Sequence, residues 1–215
     1  MRGRNKWGFG LYSDVVSIEA SSSPETHTDL VVTMNAGANV RISWSLPNTN
    51  GAGIEEYVIL IKQADGDFTE ETTYCAGAQP AIVDERACEV PLSVLRDTPY
   101  SLLYNDVVVA TVRSRNSNGW SGDSTPNFEG ARILTEPVQM AAPFRGTSTT
   151  ESQIHVKWVA LEGDEIRGST ISSYHLQWDK GTDGVTWFDL SGLTSQNLDL
   201  EFIVHNSDVV GGQVY

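Results

Sequence analysis

Cysteine is nearly absent from this sequence: Cys75 and Cys88 are its only two in 215 residues. A disulfide-dense scaffold is therefore excluded, and no second ligand pair stands at zinc spacing. The two thiols either close one short loop or stay unpaired. Basic residues are also scarce. Fourteen Lys and Arg face 28 Asp and Glu, giving a formal charge of −14. Phosphate backbones need basic clusters, so no nucleic-acid partner is expected. The acidic residues are scattered, which reads as a solvated, self-repelling surface. No apolar run nears the ~20 residues that cross a bilayer. No sustained apolar core follows Arg2, Arg4 and Lys6, so no secretory leader is read there.

Other absences bear on chemistry. No Gly-x-Ser-x-Gly elbow occurs, and no motif places a general base. His27, His155, His175 and His205 are scattered without ligand spacing. His155 and His175 alternate with core positions and should face outward. Asp65-Gly66-Asp67 and residues 179–183 lack the ligand series of a calcium loop and read as turns. Neither enzymatic activity nor a cofactor is expected. No Asn-x-Ser/Thr sequon occurs, since Asn116-Ser117-Asn118 fails at the third place. Glycans would have to be O-linked, at the Ser/Thr-rich segments 21–28 and 147–152.

What is present is short strands. Val40, Ile42 and Trp44 alternate with polar residues, and Ile154, Val156 and Trp158 repeat that pattern. A second strand follows each, over 54–62 and 171–179, and both begin Ile-x-x-Tyr, at Tyr57 and Tyr174. The matches define a repeat of about 115 residues, which is domain-sized. Turn residues punctuate 47–53, 65–67 and 180–184. Helical periodicity is nearly missing; one turn at 91–95 fits, with Pro91 at a tolerated first position. The class expected is all-β, a sandwich of many short strands. Pro24 and Pro137 stiffen two linkers that divide the chain into 1–22, 23–137 and 138–215.

The motif Arg113-x-Arg115-Asn116-x-x-Gly119, after a strand-like run, recurs at the start as Arg2-x-Arg4-Asn5-x-x-Gly8. With Trp44 and Tyr57, and Trp158 and Tyr174, these residues resemble the fibronectin type III family. That pattern has Trp on strand B, Tyr on strand C, and strand F ending in Arg-x-x-Asn with Gly soon after. The segment from Cys88 to Arg96, with Pro99 to Leu102, resembles tandem repeats of this family in large surface proteins of ciliated protists. The resemblance implies tandem sandwiches, one complete (23–137) and one split. Residues 1–22 would be strands F and G; residues 138–215 would be strands A to E. Together those two pieces make 100 residues, one sandwich. Tyr215 aligns with the corner tyrosine before strand F, a position held in the middle domain by Val108; Tyr100 or Tyr104 would substitute. The junction between Tyr215 and Met1 falls about three residues short of the family's spacing.

The function expected is a structural repeat of an extracellular or cell-surface filament, a homopolymer with no membrane span. Arg2, Arg4, Trp7, Phe9, Tyr12, Val16 and Ile18 would form the donor strands, with Arg2-Gly3-Arg4 as strand F and 15–20 as strand G. Trp158, Tyr174, Trp178 and Tyr215 would form the acceptor in a neighbouring copy. An excerpt of a covalent array serving as an adhesive spacer is the alternative, as is a carbohydrate-binding accessory module. Trp7, Trp120 and Trp187 near loops either stack on sugars or pack at a domain joint. An extracellular setting also favours an oxidised Cys75–Cys88 pair.

Overall fold

In the computed structural model, every residue is described except 19, 36, 37, 206–208, 210 and 213–215. The chain divides into two compact units, Met1–Ile133 and Leu134–Tyr215.

The first unit opens with a small hairpin, β1 (Arg4–Asn5) and β2 (Gly8–Phe9). Then come β3 (Val31–Asn35), β4 (Asn39–Ser43), β5 (Glu56–Lys62), β6 (Phe68–Glu70), α1 (Pro80–Glu85), β7 (Ala87–Pro91), α2 (Leu92–Arg96), β8 (Ala110–Asn116) and β9 (Gly119–Trp120). They build two antiparallel sheets, ordered β3-β4-β7 and β6-β5-β8-β9. The period-2 pattern of β4 sends Val40 and Ile42 inward, both fully buried. Trp44 continues that face and meets Tyr57 of β5 edge-on, with ring centroids 5.0 Å apart. Tyr57, Ile59 and Ile61 complete the core from the second sheet.

Cys75 and Cys88 are bonded. The bridge ties the crossover after β6 to β7, where Cys88 pairs with Ile42 in the ladder. It closes a loop with a sequence separation of 13. The chain-entropy model assigns such a loop about 3 kcal/mol. Replacing both cysteines by Ser should lower unfolding free energy by about that amount in urea titrations. Free-thiol assay of the unfolded, unreduced native chain should read none.

The expected turn at 91–95 is α2, begun after Pro91. Helix α1 was not anticipated. It buries one residue, Ile82, and runs six residues, too short to leave a periodic signature. Pro80 sits at its start, and Arg86 ends it in the left-handed region at φ 54°. Of the two tyrosines offered for the corner role, Tyr100 is the buried one. Its hydroxyl donates to Glu71 at 3.0 Å, and burial together with that carboxylate pushes its pKa up.

The second unit holds β10 (Phe144–Arg145), β11 (Gln153–Lys157), β12 (Leu176–Trp178), β13 (Phe188–Ser191) and β14 (Glu201–His205), with a 3-10 turn at Gly163–Ile166. Its sheets are β10-β11-β14 and β12-β13. The first matches β3-β4-β7. The second matches only β5-β6. Trp158 and Tyr174 repeat the edge-on pair at 6.3 Å. The expected strand at 171–179 shrinks to three residues, for a reason visible in the first unit. There Glu56, Tyr57 and Val58 pair only with β8, while β6 reaches Leu60, Ile61 and Lys62. With β13 as its sole partner among the described residues, β12 keeps only the stretch that a β6-like strand supports.

One expectation fails here. His155 holds an outer-face position of β11 but is buried there, not solvated. The backbone at Gly146 folds over its ring so closely that a Cβ there would collide with it. Ser148 N–H donates to its Nδ1 at 3.3 Å. His175 is exposed as expected and bonds Asp189 at 2.8 Å. The turn reading of 179–183 holds. The Asp179 carboxylate accepts N–H bonds from Gly181 and Gly184, which lower its pKa.

Candidate functional site

Two features carry the candidate site: the hairpin of the first unit, and β12 of the second, which pairs with β13 alone among the described residues.

The hairpin repeats the register and most of the hydrogen bonds of the β8–β9 turn; the Ser114 N–H to Ser121 Oγ bond has no counterpart, because Gly10 stands at the place of Ser121. Asn5 opposes Gly8 and Arg4 opposes Phe9, as Asn116 opposes Gly119 and Arg115 opposes Trp120. Both glycines adopt positive φ, 134° and 130°, which L side chains rarely adopt. Trp7 N–H donates to Asn5 Oδ1 at 2.8 Å, as Asn118 N–H does to Asn116 Oδ1 at 2.9 Å. Further out, Gly10 N–H donates to the Gly3 carbonyl, and Ser121 N–H to that of Ser114. Ser13 N–H donates to Met1, and Ser124 N–H to Val112. Even the serine hydroxyls match: Ser13 accepts from the Met1 amine and Ser124 from the Val112 amide. Arg2 and Arg4 stack on Phe9 as Arg113 and Arg115 stack on Trp120.

What differs is burial. In β8, Val112, Ser114 and Asn116 are buried. Asn116 Nδ2 donates to the carbonyls of Ser22 and Thr49, locking the strand to the linker and the loop after Trp44. Their counterparts Met1, Gly3 and Asn5 are exposed, as are Trp7, Phe9, Tyr12, Val16 and Ile18. Residues 10–18 form no strand, contrary to the expected strand G, and only Arg4 of the expected strand F segment is in a strand. Among the described residues nothing pairs with them beyond the hairpin itself.

In the second unit, Trp158, Tyr174 and Trp178 are buried. Trp158 and Tyr174 line a groove of about 430 Å³ with Met140 and the 141–143 segment. Trp178 does not line it. Tyr215 lies outside the described residues. The linkers dock alike: Ser22 and Glu25 N–H donate to Asn50 and Asn48, and Thr135 and Val138 N–H to Arg167 and Glu165. The second unit thus has the frame that receives β8, without a strand in that place among the described residues.

The register gives the donor residues read from sequence their counterparts in β8–β9. Tyr12 matches exposed Asp123, and Arg2 and Arg4 match outward-facing Arg113 and Arg115. The places of buried Val112, Ser114 and Asn116 fall to Met1, Gly3 and Asn5. Sequence reasoning missed Gly3, Asn5 and Met140; the repeated Asn-x-x-Gly motif carried the signal for Asn5.

His27 shows what a filled frame looks like. Its Nδ1–H donates to the Ser45 carbonyl at 3.2 Å, and the Ser114 hydroxyl from β8 donates to Nε2 at 3.1 Å. The ring lies 5.7 Å from that of Tyr57. Burial lowers its pKa below 6.5, with the Ser45 carbonyl and Asp29 opposing the shift. A depressed folded-state pKa means the unfolded chain takes up the proton first. Stability is present above about pH 6.5 and is lost as pH falls through the folded value. Denaturation at pH 7.5 and 5.5 should show a larger loss for the native chain than for His27→Gln. Equal losses would count against a buried neutral ring.

No family model matches the chain, and no curated protein does. Among solved structures, the chicken CNTN1 FN1-FN3 domains are 12% identical at a TM-score of 0.39, over 90% of this chain and 60% of that one. Domains A168-A170 from titin are 15% identical at 0.36, over 52% of this chain and 32% of that one. The chain therefore spans less than two thirds of either. The fold itself is an all-β sandwich, with a three-stranded sheet opposite a four-stranded one in the first unit. No helix among the described residues is long and apolar enough to cross a membrane.

Proposed function

We propose that this chain is a non-enzymatic structural repeat of an extracellular filament or surface coat, of the kind the ciliate resemblance implies. Copies join head to tail: the hairpin of one enters the open frame of another's second unit and serves as strands F and G. The observation that carries this reading is the register match between the hairpin and β8–β9, set against a β12 that pairs with β13 alone among the described residues.

The energetics favour it. An unpaired sheet edge beside an apolar groove is unfavourable in water. Strand addition supplies main-chain bonds to that edge. The register turns Met1 inward, at the place of buried Val112. Counting back from Pro137 and Pro24, Ile18 falls on buried Ala131. Each such side chain stabilises by about 1.5–3 kcal/mol on burial, before ordering costs. A contact between two different surfaces of one chain does not close on itself and propagates. The disulfide supports an oxidising compartment.

Sedimentation of the full chain at rising concentration tests the reading: a ladder of end-to-end oligomers is the expected result. A monomer at every concentration would overturn assembly between separate chains. Copies joined by peptide bonds would make the same contact, and the intact mass of the native polypeptide distinguishes them.

A further inference from the structure

We infer that Gly3 and Met140 form a matched pair that selects which hairpin enters which sandwich; this rests on the assembly proposed above. Gly3 occupies the place of Ser114, fixed by the shared bonds Gly10 to Gly3 and Ser121 to Ser114. Met140 occupies the place of His27. Both lie three residues after the linker proline, and each sits beside the Trp–Tyr pair of its unit. In the first unit the positions are His and Ser, joined by a hydrogen bond. Across the proposed interface they are Met and Gly.

The exchange is chemically consistent. Met140 is longer than the imidazole it replaces, apolar, and has no use for a hydroxyl donor. A serine opposite it would bury a hydroxyl without a partner. A glycine leaves room for the thioether, which adapts to irregular gaps. Within its own chain Gly3 has no reason to be glycine: no heavy atom lies within 4 Å of where its Cβ would stand, and its φ is not positive. The requirement is therefore met outside the hairpin. The same logic bars the wrong pairing. The hairpin placed against the first unit would leave His27 without its hydroxyl, and β8 placed against the second unit would press Ser114 on Met140.

Association constants of the full chain, measured by sedimentation equilibrium, test this. Gly3→Ser and Met140→His should each weaken assembly by roughly 5-fold or more. The double variant recreates the His–Ser bond and should associate at least about 5-fold more tightly than the product of the single effects predicts. Gly3→Leu, at an exposed site where folding is not at risk, should remove measurable association. Strict additivity in the double variant, or full association of Gly3→Leu while the native chain assembles, would overturn the pairing and leave the assembly reading standing. A native chain that never associates would overturn both.

Discussion

Trp44→Ala is expected to destabilise the first unit by about 3–5 kcal/mol. The indole is only 5% exposed and packs edge-on against Tyr57, whose ring also meets His27. Its removal leaves a cavity that β4 and β5 cannot close, because both are held in ladders on either side. Urea unfolding followed by near-UV circular dichroism would show the midpoint falling with the slope unchanged. The equivalent Trp158→Ala should cost less in the dilute chain. Trp158 borders an open groove of about 430 Å³, so its removal enlarges a space already present instead of opening a closed cavity. A loss under 1 kcal/mol for Trp44→Ala would reject the core described here.

That asymmetry between two matching tryptophans was legible in the sequence only in part. Strand identity was readable where alternation is strong, as at Val40 and Ile42, because burial of one sheet face forces period 2. The start of β12 was not, since Ile171 to His175, just before it, carry the same Ile-x-x-Tyr pattern as the stretch leading into β5. Whether such a stretch forms a ladder depends on its neighbour, which local pattern does not encode. His155 misled for a related reason. Alternation places it on the outer face of β11, but the 144–150 loop covers that face, with Gly146 over the ring. Loop coverage leaves no periodic trace. The hairpin was found because Arg-x-Arg-Asn-x-x-Gly repeats verbatim, and its turn needs Gly8 at positive φ. The residues at the places of buried Ser114 and Asn116 do not stand out because they are small or polar: Gly3 and Asn5 draw notice only once their counterparts are seen buried.

Deleting residues 1–18 is expected to abolish end-to-end association while leaving the first unit intact. The cut must stop short of residue 21. Ser21 accepts from Asn118 and Ser22 from Asn116, so those linker residues belong to the sandwich behind them. Residues 1–18, by contrast, lie exposed and support no buried contact of their own unit. Their loss should change its unfolding free energy by no more than about 0.5 kcal/mol. The loss of association should be large, on the order of 100-fold or more, because the deletion removes the whole hairpin proposed above as the ladder partner of β12. Asn5→Ala gives the intermediate case. Asn116 bonds two carbonyls of its frame, and Asn5 in the same register would bond the linker near Thr135 and the loop after Trp158. Losing those bonds should weaken association by roughly 10-fold, with no effect on folding of either unit. Sedimentation velocity at matched concentration reads all three chains. A truncated chain that assembles as well as the native one would show that the hairpin is not the donor.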